Sequence, residues 1–464
     1  MLAMMKKAWE WVDDRVGFTE TFGPMITHAV PKDARWWYVF GSATLFAFII
    51  QVFSGVALAF SYIPSTSQAY DTLLFITHQA AFGHFLRGLH YYGASAMVLM
   101  VGVHMAQVFL FGAYKYPREM TWVTGVLMLG FTLVMGFTGQ LLRWDQTGVW
   151  SVIVAAEQVG RVPFIGNWLA RFTLGGDMVG GATLSRFFAV HVFVMPALVF
   201  AFVGLHLLGV LRHGISSPPK PGKLTAGPGY REEYQELLRK EGVPFWPDSA
   251  WRDVLFGAAM AGGIVVLAAV FGPPELGNPP DPSIIEAYPR PDWYLLWYFA
   301  VLALLPKGAE TYFMVFGPIL AGIILLALPF VAGRGERSPR RRPWAVAIVL
   351  LVVLMIGSLW VAGAKSNWSP NFQVEPLPAK VVGSTEGPVV EGARLFFNKA
   401  CLNCHRIDGY GGRRGPDLSL IGRHRPADQI TLIILGGRGN MPSYANNLTP
   451  EELDALVAFL RSRK

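Results

Sequence analysis

Arg87-Gly-Leu-His90-Tyr-Tyr-Gly-Ala-Ser-Ala-Met-Val-Leu-Met-Val-Gly-Val-His104 is the stretch on which the reading of this chain turns. It lies in an apolar run long enough to cross a bilayer, yet it holds two histidines 14 residues apart. An α-helix turns once in 3.6 residues, so 14 residues make almost four turns, and both imidazoles leave one face about 21 Å apart. A second apolar run repeats the device, with His191 and His206 separated by 15 residues. Ionisable side chains within a membrane are expensive and usually functional. One such histidine could be a hydrogen-bonded packing residue; two ladders of matching period point to a shared task.

The rest of the chain agrees with a membrane setting. Of 464 residues, 53% are hydrophobic and only 15% charged, against about a quarter charged in soluble domains. Apolar runs near 36–60, 87–111, 122–142, 187–211, 253–272, 311–333 and 343–363 approach or exceed the roughly 20 residues that span a bilayer. The fold class expected is an all-α membrane protein with about seven transmembrane helices, which excludes disorder, a coiled coil and a disulfide-stapled secreted module. The net charge of +8 invites a nucleic-acid partner, but its distribution removes that reading. Five Lys and Arg precede the first run, seven lie between Arg212 and Arg252, and five follow the sixth run, including Arg340, Arg341 and Arg342. Loops of the other parity are poorer, with none in 61–79 and four in 143–186. Basic loops mark the cytoplasmic side, so the N-terminus is expected inside and the C-terminal tail outside.

The domain plan follows from composition. Residues 1–35, with Trp9, Trp11, Val12 and Phe18, read as an amphipathic cytoplasmic segment rather than a cleavable signal. Residues 36–216 form a four-helix bundle, 217–252 a cytoplasmic loop, 253–363 a three-helix region, and 364–386 a proline-rich linker. Residues 387–464 form a small polar domain, ending in a helix whose Thr449 and Glu452 suit a capping box.

The two ladders belong to the second and fourth runs, which cross the membrane in the same direction. His90 is then level with His191 near the outer face, and His104 with His206 near the inner face. Two stacked bis-imidazole sites fit two b-type haems. Zinc would require further ligands, and no Cys or carboxylate accompanies these histidines. Gly41 and Gly55, and again Gly125 and Gly139, are also 14 residues apart, as expected where a haem presses on a helix and a side chain would obstruct it. Small-residue helix packing explains any one of these glycines but not their common period. In the polar domain Cys401-Leu-Asn-Cys404-His405, which holds both cysteines of the chain, is a c-type haem attachment motif with His405 as proximal ligand. A redox dithiol or zinc site would not require that histidine.

Several phrases resemble a known family. Tyr116-Pro-Arg-Glu-Met-Thr-Trp-Val-Thr-Gly125, Trp144-Asp-Gln146, Ser185-Arg-Phe-Phe-Ala-Val-His191 and His213-Gly-Ile-Ser216 resemble cytochrome b of the quinol–cytochrome c oxidoreductases, nearest the short plastid-type form. The resemblance runs from about Val30 to Ile215, and residues from about 244 to 363 resemble that family's three-helix partner subunit. It implies a low-potential outer haem on His90/His191 and a high-potential inner haem on His104/His206. Arg87, Arg186 and Arg212 align with family arginines near haem propionates or the inner site, although interfacial snorkelling competes with that role. Pro291-Asp-Trp-Tyr294 matches the tetrapeptide lining the outer quinol-oxidation site, with Asp292 as proton acceptor and Trp293 and Tyr294 beside it; alone, the acid could be a helix N-cap. Aspartate at that place suggests menaquinone. Asn440-Met-Pro-Ser-Tyr444 resembles the sixth-ligand loop of small class I cytochromes c, making Met441 the distal ligand with His424 its rival. Gly415-Pro-Asp-Leu418 resembles the loop over the haem edge.

The implied activity is a bifurcated quinol oxidation: one electron to a separate Rieske iron–sulfur protein and on to the c haem, the other through both b haems to an inner quinone, with protons moved outward. The implied setting is a bacterial cytoplasmic membrane, a homodimer, and a downstream cytochrome c or oxidase. Departures exist. Leu142-Arg143-Trp144 replaces the usual Leu-Pro-Trp, Gln140 and Phe299 stand where many members have tyrosine, and Val39 replaces the cysteine that tethers an extra haem in some relatives. The alternatives are a non-bifurcating di-haem b membrane anchor, which would lack Pro-Asp-Trp-Tyr, and an electron conduit without working quinone sites.

Overall fold

A computed structural model describes residues 1–464 other than 177, 226–228, 281–290, 366–373, 413–414, 438–440, 442 and 446. Seven of its helices are long and apolar enough to cross a membrane: Phe40–Ala59, Gly83–Leu110, Glu119–Leu141, Gly181–His213, Phe245–Val270, Ala309–Val331 and Pro343–Lys365. Helix is the form such apolar runs must take in lipid, because every backbone N–H and C=O is then satisfied within the segment. Ahead of the spans, Leu2–Val16 and Phe18–Thr27 are two helices broken at Gly17, whose φ of 64° lies in the left-handed region. Sheet is confined, among the described residues, to three short antiparallel ribbons, one of which joins Ala29–Pro31 to Gly242–Pro244.

The chain divides into two compact units, one of residues 1–144, 155–276 and 311–355, the other of residues 145–154, 277–310 and 356–464. In the first, the leading four spans meet around Ala47, Phe48, Met97 and Val199, with Met260 of the fifth span packed against them. The fifth span approaches closely because glycines let it: a Cβ on Gly257 would lie 2.4 Å from the Phe46 ring, and one on Gly88 would lie 3.2 Å from Ala268. Close backbone approach through small residues is how helices associate where lipid offers no hydrophobic drive.

The fourth span is not a uniform α-helix. Residues Val190–Val194 form a π turn, immediately before Met195–His213. Pro196 explains it: with no N–H it cannot bond the carbonyl four residues back, and the helix widens there. One extra residue in that turn is why His191 and His206 stand 15 apart while His90 and His104 stand 14 apart, yet each pair still leaves a single helix face.

The basic loops prove to be more than topological markers. Arg118, Arg337 and Arg342 are buried. Arg118 donates to the Gly214 and His213 carbonyls (2.8 and 3.0 Å), Arg337 to Ser217 (2.8 Å), and Arg342 to Phe109 (3.3 Å). His213 and Phe109 lie at helix C-termini, where carbonyls lack helical partners and the dipole favours a cation. Glu336 accepts backbone N–H bonds from Gly222, Arg337 and Ser338 (2.8, 2.9 and 2.8 Å), which hold its carboxyl below the ordinary carboxylate range.

In the second unit the polar domain has its own core of Leu395, Phe396, Leu402, Ile407, Ile430, Tyr444, Leu456 and Phe459, among others. Its helices Pro388–Asn398 and Pro450–Arg461 cross at Gly392, where a Cβ would fall 2.0 Å from the Ala455 carbonyl oxygen. The capping box is present: Glu452 N donates to Thr449 Oγ1 (3.3 Å), and Thr449 N to the Glu452 carboxylate (3.0 Å). Thr449→Ala should therefore cost this domain about 0.5–2 kcal/mol. Hydrogen exchange should show faster opening of Pro450–Arg461, and unchanged protection would mean the cap contributes nothing.

Candidate functional site

The structure brings His90 and His191 together, with ring centres 6.3 Å apart and planes at 77°. An imidazole nitrogen lies about 1.1 Å from its ring centre and binds a transition metal at about 2.0–2.1 Å, so two imidazoles on one metal atom place their centres about 6.2–6.4 Å apart. The observed spacing leaves room for one metal atom between the two imidazoles. His104 and His206 are placed by the glycines Gly41 and Gly125 of spans one and three.

Each ladder glycine lies against one of these rings. A Cβ on Gly41 would stand 3.1 Å from His104 Cε1, one on Gly55 3.2 Å from His90 Cε1, one on Gly125 3.5 Å from His206 Cε1, and one on Gly139 2.7 Å from His191 Cε1. The close approach expected for a haem plane is, in this structure, the approach of an imidazole. Spans one and three give the space, spans two and four the histidines.

Hydroxyl groups that the histidine ladders do not announce stand behind three of the rings. Ser54 Oγ lies 2.9 Å from His90 Nδ1, Thr124 Oγ1 3.0 Å from His206 Nδ1, and Thr138 Oγ1 3.1 Å from His191 Nδ1. Each of these hydroxyl residues immediately precedes a ladder glycine, so the signal was available as a hydroxyl–glycine dipeptide. Such outer contacts orient metal-binding imidazoles and fix which nitrogen is free. The donor set, the ring spacing and the glycine clearance all suit a bis-histidine haem.

The arginines occupy varied surroundings. Arg87 is buried and donates to Thr77 Oγ1 (2.9 Å) and the Pro274 carbonyl (2.6 Å). Arg186 donates to the Phe172 carbonyl (2.5 Å) and lies over the Phe172 ring, while Arg212 is exposed in the last turn of the fourth span. Val39 is buried at the start of the first span, where its carbonyl accepts from Ser42 (2.9 Å). Ser42 also donates to Asp253, an intramembrane carboxyl that the histidine pattern gave no reason to single out. Arg143 reaches the Glu275 carbonyl (3.3 Å), Trp144 has φ of 45°, and Gln140 is buried. Asp145, of the Trp144-Asp-Gln146 phrase, is fully buried and accepts from Gly148 N (2.8 Å) and Gly277 N (2.9 Å).

Asp292 immediately precedes the 3-10 turn Trp293–Leu295, which runs into the helix Leu296–Leu304 that carries Phe299. Its side chain makes no capping hydrogen bond to that turn. Asp292, Trp293 and Tyr294 are all half-buried.

In the polar domain Cys401–Cys404 is one helical turn, with both cysteines partly buried and not joined in a disulfide, and His405 follows as its cap. His405 Nδ1 bonds the Pro416 carbonyl (2.9 Å), and Gly415 backs the ring so closely that a Cβ would lie 2.7 Å from it. The Gly415–Leu418 segment therefore orients the histidine and leaves its other nitrogen for iron. Two thiols on one turn beside such a histidine suit a covalently held haem. Met441 packs against the domain core, whereas His424 is exposed; Asn440 and Pro442 lie outside the described residues.

Paired intramembrane imidazoles with glycine clearance, and a thiol–thiol–histidine turn in a small helical domain, define a haem-carrying electron-transfer protein of the membrane. The chain belongs to the cytochrome b/b6 family. Residues 25–214 match the family Cytochrome b/b6/petB, residues 281–379 match Cytochrome b(C-terminal)/b6/petD, and residues 388–460 match Cytochrome C oxidase, cbb3-type, subunit III. Cytochrome b6 of Synechococcus sp. (strain JA-3-3Ab) is 39% identical over 214 residues, 46% of this chain and all of that protein. The menaquinol:cytochrome c reductase cytochrome b subunit of Bacillus subtilis (strain 168) is 37% identical over 223 residues, again 46% of this chain and all of that protein. Among solved structures, a hyperthermophilic respiratory Complex III aligns with a TM-score of 0.65 and 27% identity, covering 84% of this chain and 95% of that one. The chain is an oxidoreductase subunit that joins cytochrome b and cytochrome c parts and carries haem b and haem c.

Gly139→Leu should push His191 out of its place and lower the b-haem content relative to c haem, read from the reduced pyridine spectrum. Gly102→Leu, at a position where a Cβ meets nothing within 4 Å, should leave the ratio unchanged. Equal ratios in both variants would show that clearance at Gly139 is not needed.

Proposed function

We propose that this chain is the cytochrome b/c subunit of a quinol:cytochrome c oxidoreductase, with menaquinol as the favoured substrate. The observation that carries the reading is that one chain holds both a facing pair of intramembrane imidazoles and a c-type attachment turn. The likeness of its first half to the cytochrome b subunit of a menaquinol:cytochrome c reductase supports the substrate class.

His90 and His191 hold one b haem near the outer face, His104 and His206 a second near the inner face, and Cys401, Cys404 and His405 the c haem, with Met441 as its sixth ligand. These groups supply a reversible one-electron couple when bound. The protein's part is to fix the imidazoles, clear space for them through Gly41, Gly55, Gly125 and Gly139, and keep water from the bundle. Quinol oxidation releases two protons with its two electrons, and Asp292 accepts one from a quinol hydroxyl beside Trp293 and Tyr294. Arg87, Arg186 and Arg212 neutralise anionic groups near the two faces. The assembly is a homodimer in the bacterial cytoplasmic membrane, with the N-terminus inside and the cytochrome c domain outside. A Rieske iron–sulfur protein and a downstream cytochrome c or oxidase are its electron-transfer partners, and protons move outward. Cys401, Cys404, His405 and Met441 would hold the c haem that supplies the one-electron couple between those partners.

The test of bifurcation is oxidant-induced reduction. With quinol present and the inner site inhibited, oxidising the c haem should make the b haems more reduced. If they stay unchanged or become oxidised, the chain is a simple conduit. Asp292→Asn keeps the volume but cannot take the proton, so quinol:cytochrome c turnover should fall about 10²–10⁴-fold with the b-haem spectrum intact. Full turnover would send the proton by another route. Met441→Leu should leave the c haem attached through its thioethers and lower its midpoint, because a thioether ligand favours reduced iron. An unmoved midpoint would transfer the sixth position to another group.

A further inference from the structure

Three of the four bundle histidines share one local arrangement. A hydroxyl residue, Ser54, Thr124 or Thr138, directly precedes the glycine that faces the ring, and its oxygen lies 2.9–3.1 Å from Nδ1. Each hydroxyl already gives its single proton to a carbonyl within its own helix: Ser54 to Ile50 (2.6 Å), Thr124 to Thr121 (2.9 Å), Thr138 to Val134 (2.9 Å). Toward the imidazole it can act only as an acceptor. Nδ1 therefore carries the proton and Nε2 keeps its lone pair, the tautomer that binds iron through Nε2.

His104 departs from this pattern. Its glycine, Gly41, is preceded by Phe40, whose ring packs edge-on against Phe256 at 5.8 Å. Gly41 also sits in the first turn of its span, behind the 3-10 turn Trp36–Tyr38, so no preceding α-helical turn offers a carbonyl. Among the described residues His104 Nδ1, although buried, has no hydrogen-bond acceptor. The pairs are thus unequal: both imidazoles of the outer pair are hydrogen-bonded, but only His206 of the inner pair is.

We propose that this inequality orders the two pairs as electron acceptors and that Phe40 is the positioning residue that creates it. An acceptor behind the far N–H makes an imidazole a stronger donor to its metal, and a stronger donor stabilises ferric iron. Two such ligands make the outer iron harder to reduce; one makes the inner iron easier. The inference rests on the reading that His90/His191 and His104/His206 hold two b haems.

The experiment is a potentiometric titration of the b-haem absorbance in the full-length, haem-loaded protein, with the b-to-c haem ratio measured on the same samples. Phe40→Thr, which supplies the missing hydroxyl, should shift the higher midpoint downward and leave the lower one in place. Thr124→Val should shift the higher midpoint upward and Thr138→Val the lower one, while Thr138→Ser, which keeps a hydroxyl, should leave both near wild type. Phe40→Thr that retains both b haems and moves neither midpoint, or moves the lower one, overturns the proposal. If that variant loses haem, the two valine variants decide, and the absence of an upward shift in both overturns it equally. A wild-type chain with fewer than two b haems would instead overturn the reading beneath the proposal, and the proposal with it.

Discussion

An imidazole inside a bundle of apolar helices is stable only when its nitrogens find partners, and each one left without carries a cost. Leaving a polar group unpaired where water cannot reach costs several kcal/mol, and lipid offers no substitute. In the proposed function one nitrogen of each ladder histidine is kept for iron and needs a second ring across from it; the rings of His90 and His191 lie 6.3 Å apart between centres. The other nitrogen of His90, His191 and His206 meets a hydroxyl on the neighbouring helix, and that of His104 alone does not. Both requirements bring helices so near that a Cβ would intrude, and Gly41, Gly55, Gly125 and Gly139 stand where it would. The four-helix bundle is built around these paired demands, and the fifth span packs onto it through Gly88 and Gly257.

Much of this was legible before any coordinates. Seven spans follow from apolar run length, because a bilayer imposes a length that no soluble core does. The histidine and glycine ladders follow from helix periodicity, and Cys401, Cys404 and His405 from a motif whose chemistry leaves few alternatives. The capping box at Thr449 and Glu452 was also readable, since both partners lie within one turn.

What escaped depends on contacts distant in sequence or on departures from regular geometry. Nothing in the order of residues shows that Ser54 meets a ring 36 positions away or that Thr124 meets one 82 away. The π turn at Val190–Val194 was hidden in a spacing of 15 that looked like loose periodicity. Counting positive charge placed Arg118, Arg337 and Arg342 in the loops but could not show them buried on helix-end carbonyls. Asp253 passed unnoticed, and Asp145 was seen only as part of a matching phrase, because single acids carry no period and their partners lie on other segments.

The account stands or falls on iron lying between the paired histidines. Anomalous scattering at the iron edge, from crystals of the full-length protein with its haems, measures that directly. The account predicts two iron positions within the bundle, one between His90 and His191 and one between His104 and His206. They should be separated by about 21 Å, the rise of 14 helical residues, with a third iron beside His405. A single iron in the bundle, or iron held by only one histidine of either pair, would contradict it.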